Sequence, residues 1–217
     1  MITPRSWQTA KPYVLAPLSL GVALLLAGRR LSGLLATGTA GMILLFFRDP
    51  ERPLDPDPDL VYAAADGIVT DVEDAHEPWI SGGEALRIST FLSIHNVHVN
   101  RSPVEGSVTK MEEVAGGFLP AFLGSSKGNY QNRLAIDGPK GRAVVVQIAG
   151  VVARRISRWV EMGETLATGQ RIGLIHFGSR TEVLLPAGSA DPLVSPGERV
   201  RAGITPLARY RKGEDAP

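Results

Sequence analysis

The tightest constraint on this chain lies at its start. Residues 13–28 and 31–47 carry no charged side chain, and only Arg29 and Arg30 separate them. A helix needs about 20 apolar residues to cross a bilayer, and each run falls a little short of that. A signal peptide would end at a small-residue cleavage site and lead into polar mature sequence. Here a second apolar run follows at once. Two buried core helices would have to be apolar nearly all round, in a chain of only 217 residues. Residues 1–47 therefore read as a retained membrane anchor, either a short hairpin or one span with an interfacial segment. Cations stand before the runs (Arg5, Lys11), between them and after them (Arg48, Arg52), so charge asymmetry does not orient the anchor.

After Phe47 the chain changes character. Pro50, Pro53, Pro56 and Pro58 fix φ and withhold donors, and residues 48–59 read as an extended tether. Residues 60–217 form the remaining domain. Residues 67–72, 85–90, 97–100 and 142–147 are short apolar segments that suit strands, and glycine-containing turns punctuate them. The expectation is a mainly β body, a small barrel or sandwich.

Two internal echoes sharpen it. Asp66-Gly67-Ile68-Val69 is matched by Glu105-Gly106-Ser107-Val108, each an acidic-Gly turn entering a strand. Val160-x-x-Gly163-Glu164, ending at Gly169, is matched at identical spacing by Val194-x-x-Gly197-Glu198, ending at Gly203. Duplicated strand-turn units of this kind resemble the barrel-sandwich hybrid core of biotinyl and lipoyl domains. Those carriers present a modifiable lysine on a hairpin, and neither repeat here holds one. A carrier function does not follow from the shared pattern.

Composition removes several chemistries. The chain has no cysteine, so disulfides, thiolate nucleophiles, cysteine zinc sites and iron–sulfur clusters are excluded together. A formal net charge of +1 argues against a nucleic-acid partner, which would require many phosphates to be neutralised.

Of the four histidines, His95 and His98 share the segment Phe91-Leu92-Ser93-Ile94-His95-Asn96-Val97-His98-Val99-Asn100-Arg101. Alternation from Val97 puts the valines on one face, with His98 and Asn100 on the other. That arrangement suits an acid–base histidine, and equally a surface histidine on a half-exposed strand. Zinc fits less well, because histidines three apart on a strand point to opposite faces and no third ligand lies at a recognisable spacing. Further on, strand-like sequence brackets Gly178-Ser179. A glycine can hold a strained peptide with the next hydroxyl near its carbonyl, although Gly-Ser is most often a simple turn.

Five segments then occur in a familiar order: Phe46-Phe47-Arg48-Asp49-Pro50-Glu51-Arg52, Ala65-Asp66-Gly67, Val97-His98-Val99-Asn100-Arg101, Gln147-Ile148-Ala149-Gly150-Val151-Val152-Ala153-Arg154-Arg155-Ile156 and Phe177-Gly178-Ser179-Arg180. Together they resemble the short, membrane-anchored phosphatidylserine decarboxylases. The resemblance implies a pyruvoyl-dependent carboxy-lyase that makes its own cofactor by autocatalytic serinolysis at Gly178-Ser179. The pieces would be residues 1–178 and 179–217, staying together as a heterodimer. The family's triad maps onto Asp66, His98 and Ser179, with the pyruvoyl group derived from Ser179 forming a Schiff base with the phospholipid amine. His98 or His95 would reprotonate the product. The resemblance also implies a cell-membrane location with the catalytic domain facing the cytoplasm.

Other residues suit a lipid substrate. Phe118 and Phe122 lie in a glycine-bounded apolar loop that would dip into the bilayer or pack on its own domain. Arg154 and Arg155 would meet the lipid phosphate or the substrate carboxylate, or stand as solvated charges. Asn129-Tyr130-Gln131-Asn132 departs from the Asn-Glu-Arg-Asn run associated with much of the family. Three other readings compete. One is the same chemistry on archaetidylserine or a free amino acid. Another is a membrane-fusion adaptor, which needs a heptad-bearing hairpin that the sequence lacks. The third is a tethered metallopeptidase, which would need further histidine and aspartate ligands and would bind zinc.

Overall fold

The computed structural model describes residues 2–117, 128–150, 155–176 and 179–211. The chain divides into two compact units, Met1–Glu51 and Arg52–Pro217, so the boundary falls inside the proline-rich stretch.

The first unit is a pair of helices, α1 (Pro4–Leu26) and α2 (Arg30–Phe46). Thr3 starts α1: its hydroxyl accepts from Ser6 N at 3.3 Å and donates to Asp49 Oδ2 at 2.6 Å. Proline at the first helical position costs nothing, because that N–H has no helical partner. The two helices touch through small residues. A Cβ added to Gly21 would lie 2.6 Å from Thr37 Cγ2, and one added to Gly33 would lie 2.6 Å from Leu25 Cγ. Such contacts are how helices associate where burial from water contributes little. α1 is long and apolar enough to cross a membrane by length and composition, whereas α2, with 17 residues, is shorter. Leu18, Leu20, Val22, Leu31, Leu34 and Leu35 point outward, an apolar surface that water does not favour.

The second unit is built from short strands. In chain order they are β1 (Leu60–Tyr62), β2 (Gly67–His76), β3 (Glu84–Leu92), β4 (Val99–Arg101), β5 (Gly106–Val114), β6 (Gln131–Gly138) and β7 (Gly141–Ala149). Then come β8 (Ile156–Arg158), β9 (Thr165–Leu166), β10 (Arg171–Ile175), β11 (Ser179–Pro186), β12 (Ala190–Pro192), β13 (Arg199–Val200) and β14 (Pro206–Tyr210). Eight form one curled antiparallel sheet in the order β13-β2-β3-β11-β7-β6-β5-β9. Two three-stranded sheets, β1-β14-β12 and β4-β10-β8, complete the body.

β7 shows why its sequence is nearly all apolar. Ala143 and Val145 face the main core with Leu134, Val183 and Leu185, while Val144, Val146 and Ile148 face a second cluster with Trp79 and Ile80. A strand covered on both sides cannot alternate with polar residues. Trp79 itself is capped by Arg133, whose guanidinium lies 4.5 Å from the ring centroid and pairs with Glu77 at 2.5 Å.

The ladders repeat the sequence echoes residue for residue. Gly67 and Ile68 pair with Val200 and Arg199; Gly106 and Ser107 pair with Leu166 and Thr165. Val69 N donates to Glu198 O and Val108 N to Glu164 O, both at 2.9 Å. The β2–β3 ladder slips between Val69 and Asp71, and the β5–β6 ladder slips at the matching place, between Val108 and Lys110. The eight-stranded order is thus a palindrome about the β11–β7 pair, and β1-β14-β12 answers β4-β10-β8. Gly169 and Gly203, the ends of the second echo, meet each other: a Cβ on Gly203 would lie 3.3 Å from Gly169 Cα, and both glycines have positive φ.

Candidate active site

Ser179 opens β11, the strand at the centre of the large sheet, paired to Leu92 of β3 on one side and Ala149 of β7 on the other. Directly paired residues project to the same face, as do residues two apart on one strand. Ser179, Thr181, Gln147, Asn132 and Thr90 therefore share the inner face, just beyond the apolar core. All five are buried.

The small sheet β4-β10-β8 lies over this polar end. Gln147 Nε2 donates to Asn100 Oδ1 of β4 at 2.6 Å, and Asn132 Nδ2 donates to Gln147 Oε1 at 2.6 Å. The bridge passes beside Gly173 of β10, where an added Cβ would sit 3.2 Å from Gln147 Nε2 and 2.6 Å from Ser157 O. Four side-chain atoms of this layer, Ser179 Oγ, Thr181 Oγ1, Asn100 Nδ2 and Asn132 Oδ1, have no hydrogen-bond partner among the described residues. Each such group costs about 1–3 kcal/mol of desolvation.

His98 belongs to the same place. It is fully buried, its Nδ1 lies 3.0 Å from Asn96 O, and its carbonyl accepts from Ile175 N at 3.2 Å. Ile175 ends β10, the strand that leads through Gly178 into Ser179. The sequence put His98 and Asn100 on an outward face; the fold turns that face inward, because β4 is covered by the large sheet instead of water. His95 stands apart, exposed in the turn closed by Asn96 N to Ser93 O at 2.9 Å.

Asp66 has other company. Its carboxylate accepts from both terminal guanidinium nitrogens of Arg52, at 2.5 and 2.7 Å, and from Ala202 N at 2.9 Å. Arg52 also donates to Ala202 O at 2.7 Å. The last arginine of the proline-rich stretch is thus tied into the β body, which composition alone did not indicate. Asp66 precedes β2, whose Gly67 admits no side chain: a Cβ there would come within 2.0 Å of Phe91 O.

His176 was not singled out from the sequence, yet it is fully buried three residues before Ser179, with Ser157 Oγ at 3.0 Å from its Nε2. Burial, reinforced by the positive charge of Arg155, pushes its pKa down to about 4, so the imidazole is neutral at physiological pH. Arg155 itself is exposed. Phe118, Phe122, Arg154 and Gly178 lie outside the described residues. Among the described residues no group of three or more His, Asp or Glu side chains is arranged to hold a metal ion. The buried amides Gln147 and Asn132 were not named as site residues from the sequence: Gln147 only opens one of the five family-like segments, and Asn132 ends the run in which this chain departs from the family, which put headgroup contacts there in doubt.

A buried serine with an unengaged hydroxyl, a buried imidazole against the preceding strand and a row of neutral amides make a water-poor site for acyl chemistry at a serine. Comparison with known proteins agrees in kind. A family profile described as phosphatidylserine decarboxylase matches residues 40–208. A phosphatidylserine decarboxylase proenzyme of Symbiobacterium thermophilum is 46% identical over 201 residues, covering 91% of this chain and 92% of that protein. The proenzyme of the same name from Burkholderia multivorans is 48% identical over 172 residues, 78% of this chain and 79% of the relative. That of Carboxydothermus hydrogenoformans is 44% identical over 170 residues, 78% of this chain and 80% of the relative.

Proposed function

This chain belongs to the phosphatidylserine decarboxylase family and is a carboxy-lyase acting on phosphatidylserine, and from that premise we propose how it matures and which residues do the work. The chain is a proenzyme that cuts itself between Gly178 and Ser179. Ser179 Oγ attacks the Gly178 carbonyl carbon, the acyl group moves from nitrogen to oxygen, and the peptide becomes an ester. Elimination then releases residues 1–178 as a free carboxylate, and water converts the remaining dehydroalanine to a pyruvoyl group with loss of ammonia.

The observation that carries this reading is the setting of Ser179. Its Oγ is buried and has no hydrogen-bond partner among the described residues, at the first position of a strand held on both sides. A hydroxyl so placed is free to be turned toward a neighbouring carbonyl. His98 takes its proton as general base, and Asp66 supports the imidazolium that results. His95, exposed and on the adjoining turn, serves the later reprotonation. Arg154, Arg155, Phe118 and Phe122 meet the lipid.

The pyruvoyl group fits here, because among the described residues Ser179 sits in a layer of uncharged hydrogen-bonding side chains, Thr90, Asn132, Gln147 and Thr181. When formed, it supplies a ketone that condenses with the substrate amine and takes up the electron pair freed with carbon dioxide. The duplicated ladders support a hybrid-type core, and the apolar pair α1–α2 supports attachment to the cell membrane, with the catalytic body on the cytoplasmic side.

Intact mass tests the reading. The uncut chain weighs 23.2 kDa; cleavage predicts residues 1–178 and a small chain of residues 179–217 that resists stepwise N-terminal sequencing. Borohydride should trap that small chain only when an amine is present. A wild-type protein that decarboxylates phosphatidylserine while showing only the uncut mass removes the pyruvoyl mechanism.

A further inference from the structure

The two halves of the β body share backbone register but differ in chemistry at five matched positions. Asn132 pairs with Gln147 in one half where Leu86 faces Leu185 in the other. Thr181 beside Thr90 is answered by Ala143 beside Ile136. Asn100 paired with Gly173 is answered by Val61 paired with Ala208. Val61, Ala143, Leu185 and Ala208 are fully buried in the main core, and Leu86 packs against them. One backbone thus accepts apolar side chains at all these places. The fold itself does not require Asn100, Gln147, Asn132 or Thr181 to be polar.

These four residues also leave three polar atoms without a hydrogen-bond partner among the described residues, in the layer that holds Ser179: a donor at Asn100 Nδ2, an acceptor at Asn132 Oδ1, and the Thr181 hydroxyl. Buried polar groups normally find partners, so amides in place of a leucine pair, with ends that no described residue meets, carry a desolvation cost that a bound ligand would repay. The row is uncharged, with a donor at one end and an acceptor at the other. A single buried anion would call for a cation. A zwitterionic head, whose ammonium and carboxylate compensate each other, needs hydrogen bonds of both senses and no net countercharge. We infer that Asn100, Gln147, Asn132 and Thr181 form the hydrogen-bonding site for the amino-acid head of the substrate, set at one end of the sheet where the two halves of the duplicated core meet, with the three amides from one half and Thr181 from the other. This rests on the decarboxylase reading of Ser179 and deepens it.

The duplication supplies the test, since each residue can be exchanged for its counterpart: Asn100→Val, Gln147→Leu, Asn132→Leu and Thr181→Ala. The full-length protein is compared with wild type by intact mass, by melting temperature, by kinetics on phosphatidylserine in mixed micelles, and by inhibition with glycerophosphoserine. All four variants are expected to cleave and to melt within about 4 °C of wild type, because apolar side chains are already accommodated at the matched sites. Gln147→Leu, which removes both bonds of the row, should raise KM and the glycerophosphoserine inhibition constant together by about tenfold or more. Thr181→Ala, the mildest change, should raise both by a smaller factor and keeps the test open if Gln147→Leu does not fold. Unchanged KM and inhibition constant in folded, cleaved variants would overturn the inference. So would a general loss of cleavage, which would place the row in maturation. A wild-type chain that is never cut overturns the underlying reading instead, and is recognised separately by its mass.

Discussion

A serine hydroxyl is a poor nucleophile at neutral pH, and the residues around Ser179 bear on that directly. Ser179→Ala should remain one uncut, inactive chain. His98→Ala should accumulate uncut chain, and Asp66→Asn should do the same while still accepting the Ala202 N–H; full processing in both would remove them from the cleavage machinery. His95→Ala should cleave normally and decarboxylate slowly, since the exposed turn that carries His95 is not part of the buried layer. His176 gives a pH signature of another kind. Its pKa is about 4 in the folded chain and 6.5 in the unfolded one, so between those values the unfolded chain binds the extra proton. Stability from this group is complete above pH 6.5 and is lost as pH falls toward 4, by about 3 kcal/mol in all at ~1.4 kcal/mol per pH unit. The melting temperature of Ser179→Ala should fall over that window, and adding His176→Gln should flatten the fall. An unchanged slope would mean that His176 is protonated in the fold.

At the scale of elements, β11 decides what cleavage leaves behind. It lies between β3 and β7, so a cut before Ser179 severs a strand whose ladders on both sides belong to the larger piece. Its outer face is pinned as well. Arg180 Nη2 donates to Asp71 Oδ2 at 2.9 Å and to Ser89 Oγ at 2.8 Å, and Nε lies 3.0 Å from Glu182 Oε1. The slip between Val69 and Asp71 matters here, because it sets Asp71 opposite Ser89 on that outer face. The two chains should therefore co-purify and separate only in denaturant. Arg180→Ala in the uncut Ser179→Ala background should cost about 3 kcal/mol, at the lower end for a buried pair because Asp71 is partly exposed. Chains that separate on dilution without denaturant would show that the ladders do not hold the pieces.

For the whole molecule, the two units make separate demands on the solvent. α1 and α2 present leucines outward, whereas the β body buries its apolar residues in two main clusters. A chain beginning at Asp49 keeps Arg52 and its bonds to Asp66 and Ala202 while discarding both helices. It should stay soluble without detergent and still cut itself. If it requires detergent, the segment around Phe118 is the stronger membrane contact. The duplication acts at this scale too: both halves supply the apolar core, while at one end of the sheet polar side chains from both stand where the matched positions at the other end are apolar.

The sequence by itself determined the local properties. Uncharged runs of helical length, prolines that exclude regular structure, short strand-like apolar segments over 67–72, 85–90 and 142–147, and the spacing of two echoes were all readable, because each depends on residues close along the chain. The order of five motifs placed Asp66, His98 and Ser179 as candidates in the same way. What only the tertiary structure decided were contacts between residues far apart. Burial of the face carrying His98 follows from a large sheet lying over β4. The capture of Asp66 by Arg52, and the join of Asn132, Gln147 and Asn100 into one row, depend on strand register across long separations. A single asparagine or glutamine in a strand looks alike whether it faces water or a reacting group. It acquires meaning here only because the matched half of the fold holds leucine and valine where these amides stand.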